Sequence, residues 1–543
     1  MIRRIAFLAI SLAASSAALA EVKLNPLFTD HAVLQRDAEI PVCGTATPGE
    51  KVRLELPGAW ELNPATRPAS GEMEIHTNHL ENVRTTVTAD AVGMWTAHLP
   101  AHAAGGPFEL VVKGDSNEVR RTDILIGDVW LCSGQSNMDF VMSKKVASFA
   151  GIQDEEKEIA AANWPKIRQF KVDLKMTDSP DTQAKGEWLV CNSENAPKFS
   201  AVAYCFGREL HKTLPGDVPI GLLVTSYGAS TAQAWTSRDA LLSNDKLKQL
   251  VPEYEQKKSD FASGAAQTKY EQALKDWEKA SADAKAAGKP EPRKPGAPKD
   301  PSQDQHNPSV LYNGMVAPLV PYAFRGAIWY QGESNGYNNE IYLPLMQTLI
   351  ADWRKAWNTE FSFLSVQLAG YHAPATQPAD RSQIASVREA QWQTMLTVPN
   401  AYTVTAFDIG DAKNVHPKNK QEVGRRLALA ARANVYGEKD LEWTGPLLKS
   451  ATVEGSTVRL QFTHAKELVP AGFALTGFAL RTEDGWSWAD ARIDSNAVLV
   501  RVPEGKSPIE VRYAWADNPV ANLVNGERLP ALPFRVELGK EGH

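Results

Sequence analysis

The sequence predicts an α/β fold in which a parallel β-sheet with crossover helices is flanked by β-rich regions and interrupted by a helical insert. Compact apolar runs recur through the middle of the chain, at Ile124 to Cys132, Ile220 to Val224, Gly326 to Tyr330, Phe363 to Leu368 and Ala401 to Thr405. Each ends in small or polar residues before a helix-like pattern, as expected for strands buried on both faces of a sheet. Outside this region the texture changes to short alternating segments: Val52/Leu54/Leu56 and Phe108/Leu110/Val112 before it, Val458/Leu460/Phe462 and Val498/Val500/Val502 after it. Alternation with Gly and Pro between the segments is the pattern of small β-sandwiches. The length of 543 residues exceeds one ordinary core, and about two to four units are expected.

Taken in order, residues 1–20 contain Arg3 and Arg4, the apolar run Ile5 to Leu12, and small residues ending Ala18-Leu19-Ala20. This is the pattern of a secretory signal peptide, so the mature chain is expected to begin near Glu21, secreted or periplasmic. The run is short for the alternative, a membrane anchor. Residues 21–122 read as an N-terminal β domain, 123–239 and 306–438 as two parts of the α/β core, and 439–543 as a C-terminal β domain. Between them, residues 240–305 break the pattern. Tyr270, Leu274 and Trp277 stand at helical spacing in a charged, alanine-rich stretch, then Pro290, Pro292, Pro295, Pro298 and Pro301 punctuate a Lys-rich segment. A helical hairpin followed by an extended linker is expected. It is either a solvated excursion or the rim of a site that contacts a long substrate.

Composition excludes some functions. With 58 basic and 64 acidic residues the net charge is -6, which provides no electrostatic footprint for nucleic acid or an anionic membrane. The cysteines Cys43, Cys132, Cys191 and Cys205 are too few for a disulfide scaffold and lack zinc-ligand spacing. Cys191 and Cys205 either pair in an oxidising compartment or stay buried thiols, the reading that the apolar run around Cys205 suggests. No metal or cofactor constellation stands out.

Ligands bind beyond the carboxyl ends of parallel strands, and four such ends carry reactive parts. Gly134-Gln135-Ser136-Asn137-Met138 follows the first run, and Ser226-Tyr227-Gly228-Ala229-Ser230 the second. Gln331-Gly332-Glu333-Ser334-Asn335 follows the third, and Asn414-Val415-His416-Pro417 comes after the last. Singly, Ser136 and Asn335 read as helix caps, Gly228 as a turn glycine and His416 as a loop histidine. Jointly they supply an ester-cleaving set. Serine is a weak nucleophile that needs a base, here His416. The oxyanion needs donors, here the Ser136 and Gly228 N–H groups and the Asn335 side-chain amide.

These motifs, with Trp329-Tyr330 before Gln331, His416-Pro417-Lys418-Asn419-Lys420, Tyr312 to Leu319, and Tyr513-Ala514-Trp515 with Asn522-Leu523, resemble the sialate O-acetylesterase-like branch of the SGNH (GDSL-type) hydrolases. The similarity spans roughly residues 22–538 apart from the insert. It implies an SGNH-type three-layer core and serine-based removal of acetyl groups from carbohydrate hydroxyls, without metal or cofactor. It assigns the name-giving Ser, Gly, Asn and His to Ser136, Gly228, Asn335 and His416. Many such hydrolases have an aspartate three residues before the histidine, a position held here by Lys413. Asp411 is then the expected partner of His416, with Asp408, Glu333 or a backbone carbonyl as alternatives and turn capping as the other role of Asp411. Gln135, Gln331, Glu333 and Trp235 are expected to contact substrate; Arg388 and Gln391 are expected to brace the site. No arginine lies beside the four blocks to meet a sialic acid carboxylate, and Arg208, Arg238 and Arg388 are more distant. The expected substrate is therefore an acetylated plant hemicellulose such as xylan or xyloglucan, with O-acetyl sialic acid the alternative. A carbohydrate-binding protein with an inert core is the rival from another class, against which the intact four residues count.

Overall fold

The computed structural model describes residues 21–57, 83–378 and 380–539; the signal peptide expected at 1–20 lies outside them. Seven strands form the core of the largest sheet: β1 (Glu118–Gly134), β2 (Trp164–Lys171), β3 (Trp188–Cys191), β4 (Ile220–Ser226), β5 (Gly326–Tyr330), β6 (Ser362–Gln367) and β7 (Ala401–Thr405). Their spatial order is β3-β2-β4-β1-β5-β6-β7. Neighbours are parallel except β3, which runs antiparallel to β2. The chain thus adds strands on one side of β1 and then crosses to the other. The winding reverses at β1, and a crevice opens at its carboxyl end for that reason.

All five apolar runs are strands. The pair β2 and β3 was not anticipated, because the buried stretch of β2 includes Arg168 and Gln169, whose polarity hides a strand from pattern reading. Helices Ala201–Thr213 and Lys420–Asn434 pack on each other, as do Tyr342–Trp357 and Gln383–Thr397. All four cysteines are buried free thiols, so Cys191 and Cys205 do not pair.

The first half of β1 pairs with Gly105–Lys113 and Val33–Gln35 of the N-terminal region. The boundary expected at 122/123 therefore falls inside one continuous strand. Where the two parts meet, the fully buried Asp128 accepts from Arg36 at 2.8 Å, Arg325 at 3.0 Å and the Tyr436 hydroxyl at 3.0 Å. The insert contains helices Leu250–Ala262 and Ala265–Ala286, and its proline-rich arm returns along the second, where Trp277 Nε1 donates to Pro292 O at 2.8 Å.

Beyond residue 446 two four-stranded sheets enclose a second apolar core containing Val458, Leu460, Val498, Val500, Tyr513 and Phe534. Arg388 ties this region to the core sheet. Its fully buried guanidinium donates to four carbonyls: Leu368, Ala369 and Ala516 at 2.7 Å and Asp517 at 3.0 Å. Burial brings its pKa down to about 10, so it stays charged at neutral pH. Gln391, one turn along, donates to Gln331 O at 3.0 Å and Val366 O at 3.2 Å, bracing the ends of β5 and β6.

At the end of β1, Gly134 has φ +140°, and a Cβ there would lie 2.2 Å from Tyr330 O. Only glycine lets β1 and β5 approach so closely while turning into the next segment.

Three stability outcomes follow from these features. Arg388→Leu leaves four buried carbonyls without a donor and should cost about 3 kcal/mol or more, seen as a lower urea midpoint at unchanged m. Gly134→Ala should cost about 3 kcal/mol or more through clash and strain. Gly437→Ala, where φ is +77° and no atom lies within 4 Å of the added carbon, should cost about 1 kcal/mol.

Candidate active site

Three strand ends are laced together at Gly134. Gln135 N donates to Tyr330 O at 3.0 Å and Tyr227 N to Gly134 O at 3.1 Å. The Gln135 side chain extends the lacing, its Oε1 accepting from Gly332 N and Ser334 N at 3.2 Å each. Ser136 then opens the one-turn helix Ser136–Asp139. Gly228 stands beside it: a Cβ added there would lie 3.9 Å from Ser136 Cβ. Both residues are partly exposed, and among the described residues their N–H groups enter no hydrogen bond. A free hydroxyl next to two free backbone donors is thus assembled from the ends of β1 and β4.

His416 lies on the loop between β7 and helix Lys420–Asn434, which Asn137 ties to the serine turn. Its N–H donates to Asn414 Oδ1 at 2.9 Å, and Asn137 Nδ2 holds the preceding carbonyl, Val415 O, at 3.1 Å. The imidazole packs beside Phe149 and Phe140, with ring centroids 5.1 and 6.4 Å away. Burial, and secondly the Lys420 ammonium, push its pKa down to about 4. The ring is neutral at physiological pH, the form a base requires.

The expected carboxylate partner is not in place. Asp411 accepts from Lys413 N at 2.8 Å and bridges to Asn414, closing its own turn. Asp408 is held by both terminal nitrogens of the buried Arg426 at 2.7 Å. Glu333 Oε1 accepts from Asn137 Nδ2 at 2.6 Å. Among the described residues no carboxylate pairs with His416. Short-range turn bonds and a buried guanidinium claim these acids first.

Three other expectations change. Trp235, at the end of the turn Ala232–Trp235, is fully buried, donates through Nε1 to Ser230 Oγ at 2.9 Å and meets Trp329 edge-on. Gln331 is fully buried as well, spending Nε2 on Ser230 O and Asn335 Oδ1 and Oε1 on the Tyr342 hydroxyl. Gln135 is buried and serves the lacing described above. Asn335, also fully buried, accepts from Ala232 N at 2.9 Å and donates from Nδ2 to Gln233 Oε1 at 3.0 Å and Asn338 Oδ1 at 3.2 Å. Its amide reaches an oxyanion only by releasing one of these acceptors.

Sequence reasoning missed Asn137 and Lys420. The fully buried Lys420 donates to Asn137 Oδ1 at 2.5 Å. Lys420 stands in the motif around His416, but a lysine opening a helix reads as solvent-facing. Lys171 was missed too: it pairs with Asp139 and donates to Ser226 Oγ at 2.7 Å, securing the serine turn to β4.

The return arm of the insert borders the site. Gln305 O accepts from Thr231 N at 3.3 Å, and His306 O from Thr231 Oγ1 at 3.2 Å and Gln233 Nε2 at 3.3 Å. Tyr337, 63% exposed and two residues beyond Asn335, lies in the field of Asp304, which together with partial burial raises its phenol pKa. Asp304 itself pairs with His306 at 2.6 Å. Among the described residues no group of three or more His, Cys, Asp or Glu could hold a metal ion, and no helix is long and apolar enough to cross a membrane.

Comparison with known proteins bears on the family of the chain. A family model described as "Carbohydrate esterase, sialic acid-specific acetylesterase" matches residues 303–433, the stretch from the insert's return arm to the helix after His416. Sialate O-acetylesterase of Rattus norvegicus is 29% identical over 490 residues, covering 82% of this chain and 85% of that protein. The Homo sapiens sialate O-acetylesterase is 29% identical over 404 residues, 69% of this chain and 66% of that one. A solved carbohydrate acetylesterase from Xanthomonas citri superposes with a TM-score of 0.75 at 32% identity, covering 95% of this chain and all of that one. Likeness of this extent includes the flanking β regions as well as the core sheet, and it makes the chain an esterase that belongs to the sialate O-acetylesterase-like family of carbohydrate esterases.

Proposed function

We propose that the protein is an exported carbohydrate O-acetylesterase with an SGNH-type core, in which Ser136 is the nucleophile and His416 the base. One observation carries this reading. Ser136 stands beside two unused backbone donors at the switch point of the sheet, and Asn137, the next residue, bonds the backbone of the loop that carries His416, whose ring packs beside Phe140 of the same serine turn. Ser136 Oγ attacks the acetyl carbonyl carbon as His416 takes its proton. The tetrahedral oxyanion is met by the Ser136 and Gly228 N–H groups, each worth about 3 kcal/mol of barrier. The C–O bond to the sugar breaks, His416 returns the proton to the departing alcohol, and water releases acetate by the same route. The Asn335 amide is a third donor if it lets go of Asn338. His416 works here without an acid, held by Phe140, Phe149 and its backbone. The Arg3-Arg4 start and apolar run of residues 1–20 support export.

The substrate reading is a neutral acetylated polysaccharide, with plant hemicellulose preferred. A sialic acid carboxylate needs a cation, and Arg208 is held by Glu158, Lys171 by Asp139, and Arg388 by carbonyls in full burial. The exposed Tyr337, in the field of Asp304, offers an aromatic ring face of the kind that sugars bind.

Ser136→Ala should lower kcat for p-nitrophenyl acetate about 10⁴-fold or more; retained turnover would remove the assignment, and an inactive wild type would favour a binding protein. Asp411→Asn should cost less than about tenfold, since its carboxylate serves a turn; a loss of about 10⁴ would restore it as the orienting acid. The acid limb of kcat/KM should lie near pH 4, because activity falls only as His416 gains a proton, and a limb near the ordinary histidine value of about 6.5 would contradict the buried setting. Acetate release measured side by side should be faster from acetylated xylan or xyloglucan than from O-acetyl sialic acid; the opposite order selects the sialate alternative. Tyr337→Ala should lower kcat/KM on acetylated xylan oligosaccharides about tenfold more than on p-nitrophenyl acetate.

A further inference from the structure

We propose that Lys420 is a positioning residue of the hydrolytic site, acting through Asn137 to fix the serine turn against the histidine loop. The proposal rests on the reading of Ser136 and His416 as nucleophile and base.

Lys420 is the first residue of helix Lys420–Asn434 and is fully buried. Its Nζ lies 2.5 Å from Asn137 Oδ1, 4.6 Å from the centre of the Phe140 ring and 5.4 Å from that of Tyr330. Asn137, next to Ser136, donates from Nδ2 to Glu333 Oε1 at 2.6 Å and to Val415 O at 3.1 Å. The amide is therefore held at both ends, with the Lys420 Nζ donor at its oxygen and the Glu333 carboxyl, whose pKa burial raises, at its nitrogen. Flipping it would set NH₂ against that donor and oxygen against the carboxyl, so one orientation is enforced. That orientation joins the residue after the nucleophile to the residue before the base.

A buried ammonium is costly, and a purely structural contact would be served by an apolar side chain of the same length. The ring faces over Lys420 and the Asn137 carbonyl replace part of its lost hydration. The other titratable groups facing Lys420 are Glu333, whose Oε2 is buried with no partner, the Cys205 thiol and the Tyr330 phenol, itself near Arg388. Towards His416 the packed groups are Phe140 and Phe149, and the acting charge is Lys420. Burial brings the Lys420 pKa down to about 7, with Glu333 opposing. Its charge in turn disfavours a proton on His416. Lys420 thus has two effects, one on geometry and one on the acid limb.

The test is the pH dependence of kcat and KM for p-nitrophenyl acetate in Lys420→Met and Glu333→Gln, each checked for folding by thermal melting, beside wild type and Ser136→Ala. Lys420→Met should lower kcat about 10- to 100-fold with little change in KM, and should move the acid limb up by about one pH unit because His416 no longer faces a cation. Glu333→Gln keeps an acceptor for Asn137 but removes the charge that helps Lys420 hold its proton, so its alkaline limb should begin about one unit lower. If Lys420→Met does not fold, the alkaline limb of Glu333→Gln decides. Either limb remaining at its wild-type position in a folded variant overturns the proposal. Unmoved limbs with an inactive Ser136→Ala refute the role of Lys420 alone; an active Ser136→Ala refutes the reading beneath it.

Discussion

The close approach of β1 and β5 at Gly134 is the constraint on which the site depends. With no side chain at that position, Tyr330 O can sit against the Gly134 backbone, and the same residue offers its carbonyl to Tyr227 at the end of β4. Three strands that the chain visits at residues 134, 226 and 330 are thereby fixed in one plane with their ends level. Ser136, Gly228 and the loop from Gln331 to Asn335 are placed by backbone bonds, which leave them little freedom once the sheet has formed. A switch of winding at β1 keeps that end of the sheet open to solvent.

Below the open end the structure is polar and cross-linked by hydrogen bonds. Gln135, Asn137, Gln331, Asn335 and Gln391 are buried and join neighbouring strand ends through side-chain amides. Neutral amides both donate and accept, so a loop with no regular structure can be held without paired charges. The charged members stand where an amide alone would not select one geometry: Lys420 and Glu333 at the two ends of Asn137, and Arg388 amid carbonyls from two regions of the chain. His416 is placed differently, by aromatic packing and a local turn. Burial and, secondly, the Lys420 charge keep its imidazole neutral.

Much of the fold was legible in the sequence. Strands buried on both faces wrote themselves as apolar runs, and alternation marked the β-rich flanks. The strand Trp164–Lys171 escaped because its buried stretch includes Arg168 and Gln169, whose partners lie far along the chain. The join at residues 118–134 escaped because alternation and continuous apolarity meet within one strand. In the site, the four candidate residues were picked as a set because each follows a strand end. Their supports were not. Trp235 lies close to Gly228 in sequence but turns into the core, and Asp411 lies close to His416 but spends its carboxylate on Lys413 N. Asn137 and Lys420 are separated by 283 positions, and nothing local distinguishes a buried lysine from an exposed one. Such contacts arise from topology, which sequence patterns do not encode.

The central claim is that Ser136 is the hydroxyl made reactive by this geometry. Treatment of the wild type with an aryl diethyl phosphate, followed by peptide mass spectrometry, tests it directly, because only a serine with an adjacent base and oxyanion donors is phosphorylated rapidly. The account predicts loss of esterase activity in step with a single diethylphosphoryl group on the peptide carrying Ser136. Modification of another serine, such as Ser334 or Ser230, in step with inactivation would contradict it.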